Sequence, residues 1–234
     1  MLDKNAKQNR IWELDFFRGV ALLLMVYFHV VFDLKDLYGS NIEYASGINY
    51  YIGKISVTLF MIISGISCHL SRNNRKRGIR VLAVAIAITV VTHLFDPGLG
   101  VKFGILHFLG VSMLIFPLFN KINSFLLFIA AIIILVAGNI FAHMVMPNDY
   151  LFIFNLTSNT FSSSDYYPLF PWLSIFLFGV IIGRLFYAEK KSVFPFNLGN
   201  NAISTAGRHT LIVYIVHQPL ILVILELLKR VKGA

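Results

Sequence analysis

The stretch Ile11–Leu34, IWELDFFRGVALLLMVYFHVVFDL, decides how the rest of the chain is read. It is long and apolar enough for a bilayer-spanning helix, which needs about 20 residues. Yet it carries Asp15, Arg18, His29 and Asp33. Ionisable groups within a span are costly and require a partner or a water-filled cavity. At about 100° per residue, Arg18 and His29 fall about 20° apart around the helix axis, and Asp15 and Asp33 about 40° to one side of His29. All four share one stripe. Along the axis Arg18 and His29 are about 16 Å apart, roughly half the hydrocarbon thickness. Leu22, Met25 and Val26 lie on the stripe between them. The stripe therefore has a charged inner mouth, an apolar middle and a titratable group toward the outer side.

Working outward, the composition agrees with a membrane setting. Of 234 residues, 57% are hydrophobic and 13% charged, and the mean hydropathy is +0.75. Several further apolar runs are long enough to span a bilayer. The fold class is all-α: a polytopic integral membrane helix bundle of about seven transmembrane helices. The net charge of +9 is no argument for nucleic acid, because basic residues concentrate in the cytoplasmic loops of membrane proteins. The lone Cys68 forms no internal disulfide and no metal cluster. The first apolar segment is long, holds acidic residues and precedes no small-residue cleavage site, so it reads as a retained helix rather than a signal peptide.

The spans are expected over residues 12–34, 53–70, 79–95, 103–119, 124–144, 168–187 and 209–228. Seven spans put the termini on opposite sides. The basic tail before Ile11, the run RNNRKRGIR at 72–80, Lys121 and the Arg184–Lys191 region then share one face, which the positive-inside rule makes cytoplasmic. The C-terminal KRVK falls on the other face and departs from the rule. Spans and short loops use nearly all residues, so chemistry must occur in the membrane or at its edge.

Each polar residue has a plain and a chemical reading. Arg18 serves as an anchor paired with Asp15, and His29 as a hydrogen-bonded core group; or His29 is a general base that Asp33, one turn on, orients. Ser64, beside Gly65 and Ser67, allows close helix contact. No His, Cys, Asp or Glu grouping has metal-site spacing, so no metal is expected.

Six stretches carry a resemblance: WELDFFRGVALLLMVYFHVVFDL, LFMIISGISCHLSR, KRGIRVL, FGILHFLGVSML, YPLFPWLSIFLFGVIIGRL and GRHTLIVYIVHQPLI. Together, and in this order, they resemble the heparan-alpha-glucosaminide N-acetyltransferase-like family of membrane proteins, its short prokaryotic members above all. The ten residues between Arg18 and His29 are also similar to the spacing in the membrane acyltransferases that O-acylate bacterial surface polysaccharides.

The resemblance implies one transmembrane acyltransferase-like domain over 1–234, with its N-terminus cytoplasmic, in a multi-pass protein of a prokaryotic plasma membrane. It implies an acyl group, acetyl in the first instance, passing from acyl-CoA to a hydroxyl or amine of a glycan or glycolipid. On that analogy His29 is the catalytic histidine, with Asp33 behind it, and Arg18 with Asp15 contacts acyl-CoA. Of the basic run, Arg80 is the residue expected to meet CoA phosphates, while the others set topology and touch anionic lipid. His107, His217 and Ser64 become candidates to line the site, against a plain reading as hydrogen-bonding groups between helices. A homo-oligomer is compatible with all of this. The rival from another class is a transporter or flippase for a lipid-linked or anionic solute, using the same stripe as its pathway.

Overall fold

A computed structural model describes residues 10–198 and 201–232. The basic tail over residues 1–9 and the last two residues of the C-terminal tail lie outside them. The described residues form eight α-helices: α1 Trp12–Asp36, α2 Gly47–Leu70, α3 Asn74–Phe95, α4 Ile105–Asn120, α5 Ser124–Phe141, α6 Leu169–Phe186, α7 Ala202–Arg208 and α8 Thr210–Lys232. Six of them, α1, α2, α3, α5, α6 and α8, are long and apolar enough to cross a membrane. The fold is the all-helical polytopic bundle expected, and the protein is an integral membrane protein.

α4 is apolar but has only 16 residues, about 24 Å of helix against a hydrocarbon core of about 30 Å. Helix direction decides whether it counts as a span. His29 of α1 meets His217 of α8, Asp33 meets Gln218, and Tyr38 just beyond α1 meets Lys229. Contacts advance along both helices together, so α1 and α8 run parallel. Six crossings would leave the first and last antiparallel; seven leave them parallel. α4 therefore crosses too.

Caps explain where the element boundaries differ from expectation. Asn73 Oδ1 accepts from the Lys76 backbone N–H at 3.1 Å, an N-cap that starts α3 at Asn74 rather than near Ile79. The basic run is thus mostly helical. α2 begins at Gly47, six residues earlier than expected, so the loop after α1 is short. The link over 188–208 hides a further helix, α7, started by Asn201 Oδ1 accepting from Ser204 N at 2.7 Å. α4 ends on a guanidinium: Arg184 donates to the carbonyls of Phe119, Asn120 and Ile122 at 3.0, 3.1 and 2.6 Å. These include carbonyls that a helix C-terminus leaves without intrahelical partners.

The chain divides into two compact units, Met1–Phe60 with Lys190–Ala234, and Met61–Glu189. In the first, α1 packs on α7 and α8. A Cβ on Gly19 would lie 2.0 Å from the Ile203 carbonyl oxygen, and one on Gly207 would lie 1.8 Å from that of Asp15. Only glycine permits that approach, which is how small residues bring membrane helices together. Ala21, Leu22, Met25 and Phe60 form the core of this unit, with Val26, Leu59, Ala206, Val213 and Tyr214 against it. In the second unit α3 packs on α4, and α5 on α6. Gly65 and Gly179 let α2 and α6 touch backbone to backbone.

Candidate active site

The first unit gathers the polar residues of α1. At the N-terminal end of the stripe, Arg18 Nη1 donates to Asp15 Oδ1 at 2.8 Å, and the Arg10 guanidinium lies 3.8 Å from the other Asp15 oxygen. The main chain of α7 crosses here, over the Asp15 carbonyl. Beside this end, Glu13 is wholly buried and its Oε1 accepts from Val193 N at 2.8 Å. Trp12 stacks in tilted fashion on Phe194 and Phe196. Neither Glu13 nor the 192–196 segment was singled out from sequence. A buried glutamate in the first turn of a membrane helix, next to tryptophan, is the signal that could have pointed to them.

The middle of the stripe is packed, with Leu22 and Met25 buried in the unit's core. Beyond it stands His29. Its ring centroid lies 4.9 Å from that of His217, the planes tilted by 58°. His217 is buried, and its Nδ1 sits 2.6 Å from the Tyr214 carbonyl oxygen. A carbonyl only accepts, so Nδ1 carries the hydrogen and Nε2 carries the lone pair. That Nε2 is buried and has no hydrogen-bond partner among the described residues.

Asp33, 1% exposed, holds Gln218 rather than His29. Gln218 Nε2 donates to both carboxylate oxygens, at 3.0 and 2.9 Å. The aspartate one turn beyond His29 is thus fastened to the residue next to His217. Asp33 was expected to orient the His29 ring directly; its hydrogen bonds run to Gln218 of α8. A glutamine in an apolar span is itself a costly group in need of a partner, and that could have marked Gln218 in the sequence.

The remaining candidates belong to the second unit. Ser64 is buried in α2, one residue from the Gly65 contact with α6, and its Oγ has no partner among the described residues. Arg80 is exposed on α3. It was expected to stand at the start of that helix and meet CoA phosphates, but the Asn73 cap sets the start at Asn74, so Arg80 falls in the second turn. His107 is fully engaged. Its Nδ1 accepts from Gly104 N at 3.3 Å, and its Nε2 is 3.1 Å from Thr89 Oγ1, which donates to the Val101 carbonyl. One proton arrangement satisfies every member: Nε2–H donates to Thr89, and Thr89 to Val101. His107 is a brace between α3 and the start of α4. The described residues contain no group of three or more His, Cys, Asp or Glu that could hold a metal.

The outer end of α4 carries one more buried carboxyl. Asp165 Oδ2 accepts from Ile105 N at 3.0 Å and rests against Gly104. The residue is partly exposed, but its carboxyl head is turned inward. Burial pushes it up to about 6, with the Ile105 hydrogen bond pulling the other way.

Fold and site together define a polytopic membrane protein with a pair of histidines held in contact inside its helices. Residues 10–219 match the family model for the catalytic region of heparan-alpha-glucosaminide N-acetyltransferase, and the chain belongs to that family. It is a family of membrane acetyltransferases that use acetyl-CoA and a sugar or amine acceptor. No curated relative and no solved structure matches the chain.

Proposed function

We propose that the protein moves an acetyl group from acetyl-CoA, met on the side of the N-terminus, to a hydroxyl or amine of a glycan or glycolipid met toward the opposite face. The observation that carries this reading is the family match over residues 10–219, which includes every residue of the α1 stripe and its α8 partners. The loop charges make the N-terminal side cytoplasmic, where acetyl-CoA is available. Residues 1–234 work as one acyltransferase domain in the cell membrane.

Arg18 meets the phosphates of CoA, with Asp15 holding its guanidinium in place. The pantetheine arm follows the apolar seam beside Leu22, Met25 and Val26, and brings the thioester to His29. There His29 either takes the acceptor's proton or briefly carries the acetyl group on a ring nitrogen. Asp33 acts at one remove, through Gln218, by fixing the α8 segment that holds His217. His217 lines the site. His107 does not enter this mechanism, because both of its ring nitrogens are engaged.

Purified full-length protein in detergent, given acetyl-CoA labelled in the acetyl group, tests the reading. Release of CoA together with a labelled amino sugar or polysaccharide is expected. A chain that binds no acetyl-CoA but moves lipid-linked glycan across a vesicle membrane would be the transporter instead.

A further inference from the structure

Two adjacent residues of α8 present buried hydrogen-bond acceptors that no described residue satisfies. The first is His217 Nε2, left with its lone pair because Nδ1–H is committed to the Tyr214 carbonyl. The second is Gln218 Oε1. Both Asp33 oxygens accept from Gln218, so the amide nitrogen must face the carboxylate and the amide oxygen must face away. That oxygen is buried and without a partner among the described residues. The two side chains lie against His29 and Asp33 respectively, positions one turn apart on α1, about 6 Å along its axis. A buried polar atom left without a partner costs about 1–3 kcal/mol. Two of them on adjacent residues, both acceptors, one of them on the ring in contact with a candidate reacting histidine, describe a place for a ligand that brings N–H or O–H donors.

We propose that His217 Nε2 and Gln218 Oε1 form the acceptor subsite, and that it takes a polyhydroxyl or amino sugar through at least two donor groups. The inference rests on the acetyl-transfer reading above and divides its labour. One donor group, the nucleophile, points at His217. Its neighbour on the sugar donates to Gln218 Oε1 and fixes the orientation. As the nucleophile's nitrogen or oxygen bonds to the acyl carbon, its N–H or O–H bond breaks and the proton passes to Nε2. The bond from the acyl carbon to the His29 nitrogen that carries the acetyl group breaks, and its electron pair returns to that nitrogen, so of the two roles open to His29 this one is acetyl carriage. The CoA thiolate, released when His29 took the acetyl group, accepts the proton from Nε2 and leaves as free thiol. His29 is then the ring on the acyl side and His217 the ring on the acceptor side. Asp33 is a positioning residue, since it sets which end of the Gln218 amide faces the ligand.

The test uses full-length protein in detergent, labelled acetyl-CoA, and glucosamine and glucose as acceptor probes. Acetyl-CoA affinity is measured separately by calorimetry. His217→Ala should keep acetyl-CoA affinity and lose about 10²-fold or more in kcat. Added imidazole should restore part of that rate, which a packing defect would not allow. Gln218 is tested in a background that leaves no unpaired carboxylate: Asp33→Asn with Gln218→Met, against Asp33→Asn alone. The double variant should raise the KM for the sugar about ten-fold, one hydrogen bond's worth, and leave acetyl-CoA affinity unchanged. The inference is overturned if His217→Ala transfers at the parent rate, or if the sugar KM does not move. Parallel loss of acetyl-CoA affinity in both variants overturns it as well, since the pair would then serve packing or the CoA side. Wild-type protein that transfers to neither probe removes the acetyl-transfer reading itself, a result separate from any variant's behaviour.

Discussion

His107 and His217 are both buried histidines inside apolar helices, and sequence alone could not rank them. Around His107 every hydrogen-bonding atom is accounted for, from Gly104 N through the ring to Thr89 and on to Val101. Around His217 the account stops halfway: Tyr214 fixes one nitrogen and nothing described meets the other. A ring with both nitrogens engaged is a strut, and removing it loosens the fold. A ring with one nitrogen fixed and one left over is a tautomer held ready. It faces a second histidine, His29, at 4.9 Å. The lesson is that burial does not separate structural from chemical histidines in a membrane, whereas the balance of donors and acceptors does.

The largest effect that could break this contrast is at His29. His29→Ala should leave acetyl-CoA binding intact and lower single-turnover transfer by about 10²–10⁴-fold, the scale of losing a group that handles the acetyl group or its proton. Intact transfer in a well-folded His29→Ala protein would reduce the pair to a seam. Next is Arg18→Ala, which should weaken acetyl-CoA binding by about 1.5–3 kcal/mol, the scale of a hydrogen bond to a charged group. Part of that loss comes from taking away the closer of Asp15's two cationic partners, so Asp15→Asn with Arg18→Ala is the control. Calorimetric affinities for the three proteins decide it. An unchanged affinity in both variants would make Arg18 a topological anchor.

Much of this was legible in the sequence because membrane helices follow simple rules. Length, hydropathy and the loop charge bias define the bundle, and helical arithmetic puts Asp15, Arg18, His29 and Asp33 on one stripe. What the arithmetic cannot supply is the partner. Asp33 and His29 are one turn apart on α1, and that spacing alone suggests they pair. The carboxylate instead reaches across to Gln218, a contact 185 positions away in the chain that no local pattern encodes. α7 was missed for a different reason. Seven residues are too few for a clear amphipathic period, and its existence depends on the Asn201 cap and on glycines that seat it against α1. The start of α3 was placed near Arg80 because the apolar run begins there, while the Asn73 cap sets the first helical residue six positions upstream, at Asn74.

The contrast sharpens in the second unit, where polar groups should govern stability and not rate. His107→Ala strips the Gly104 N–H and the Thr89 hydroxyl of their partner. The cost should be about 1–3 kcal/mol of stability, the penalty for unsatisfied buried groups. The thermal midpoint in detergent should fall, while kcat per folded molecule stays within a few-fold. A specific loss of kcat, with the midpoint unchanged, would return His107 to the active site.

The smallest expected effect belongs to Asp165, and it is read from pH. Its carboxyl is pushed up to about 6 by burial against the start of α4, from an ordinary value of 3.8. Between these values the folded protein holds a proton that the unfolded chain has released, so stability falls as pH rises through that window. The contribution is complete below pH 4 and gone above pH 6, and a shift of this size bounds it at about 3 kcal/mol. Other carboxylates titrate nearby, so the informative quantity is a difference. Asp165→Asn keeps an oxygen to accept the Ile105 N–H and has no charge to bury. Its thermal midpoint relative to wild type should climb between pH 4 and pH 6 and stay level above. The competing force is the α4 N-terminus, whose partial positive charge favours a carboxylate by about 0.3–1 kcal/mol. If that term dominates, the difference reverses sign and the variant loses ground as pH rises. Acetyl transfer should follow neither curve, because nothing in the reaction assigned to His29 and His217 passes through Asp165.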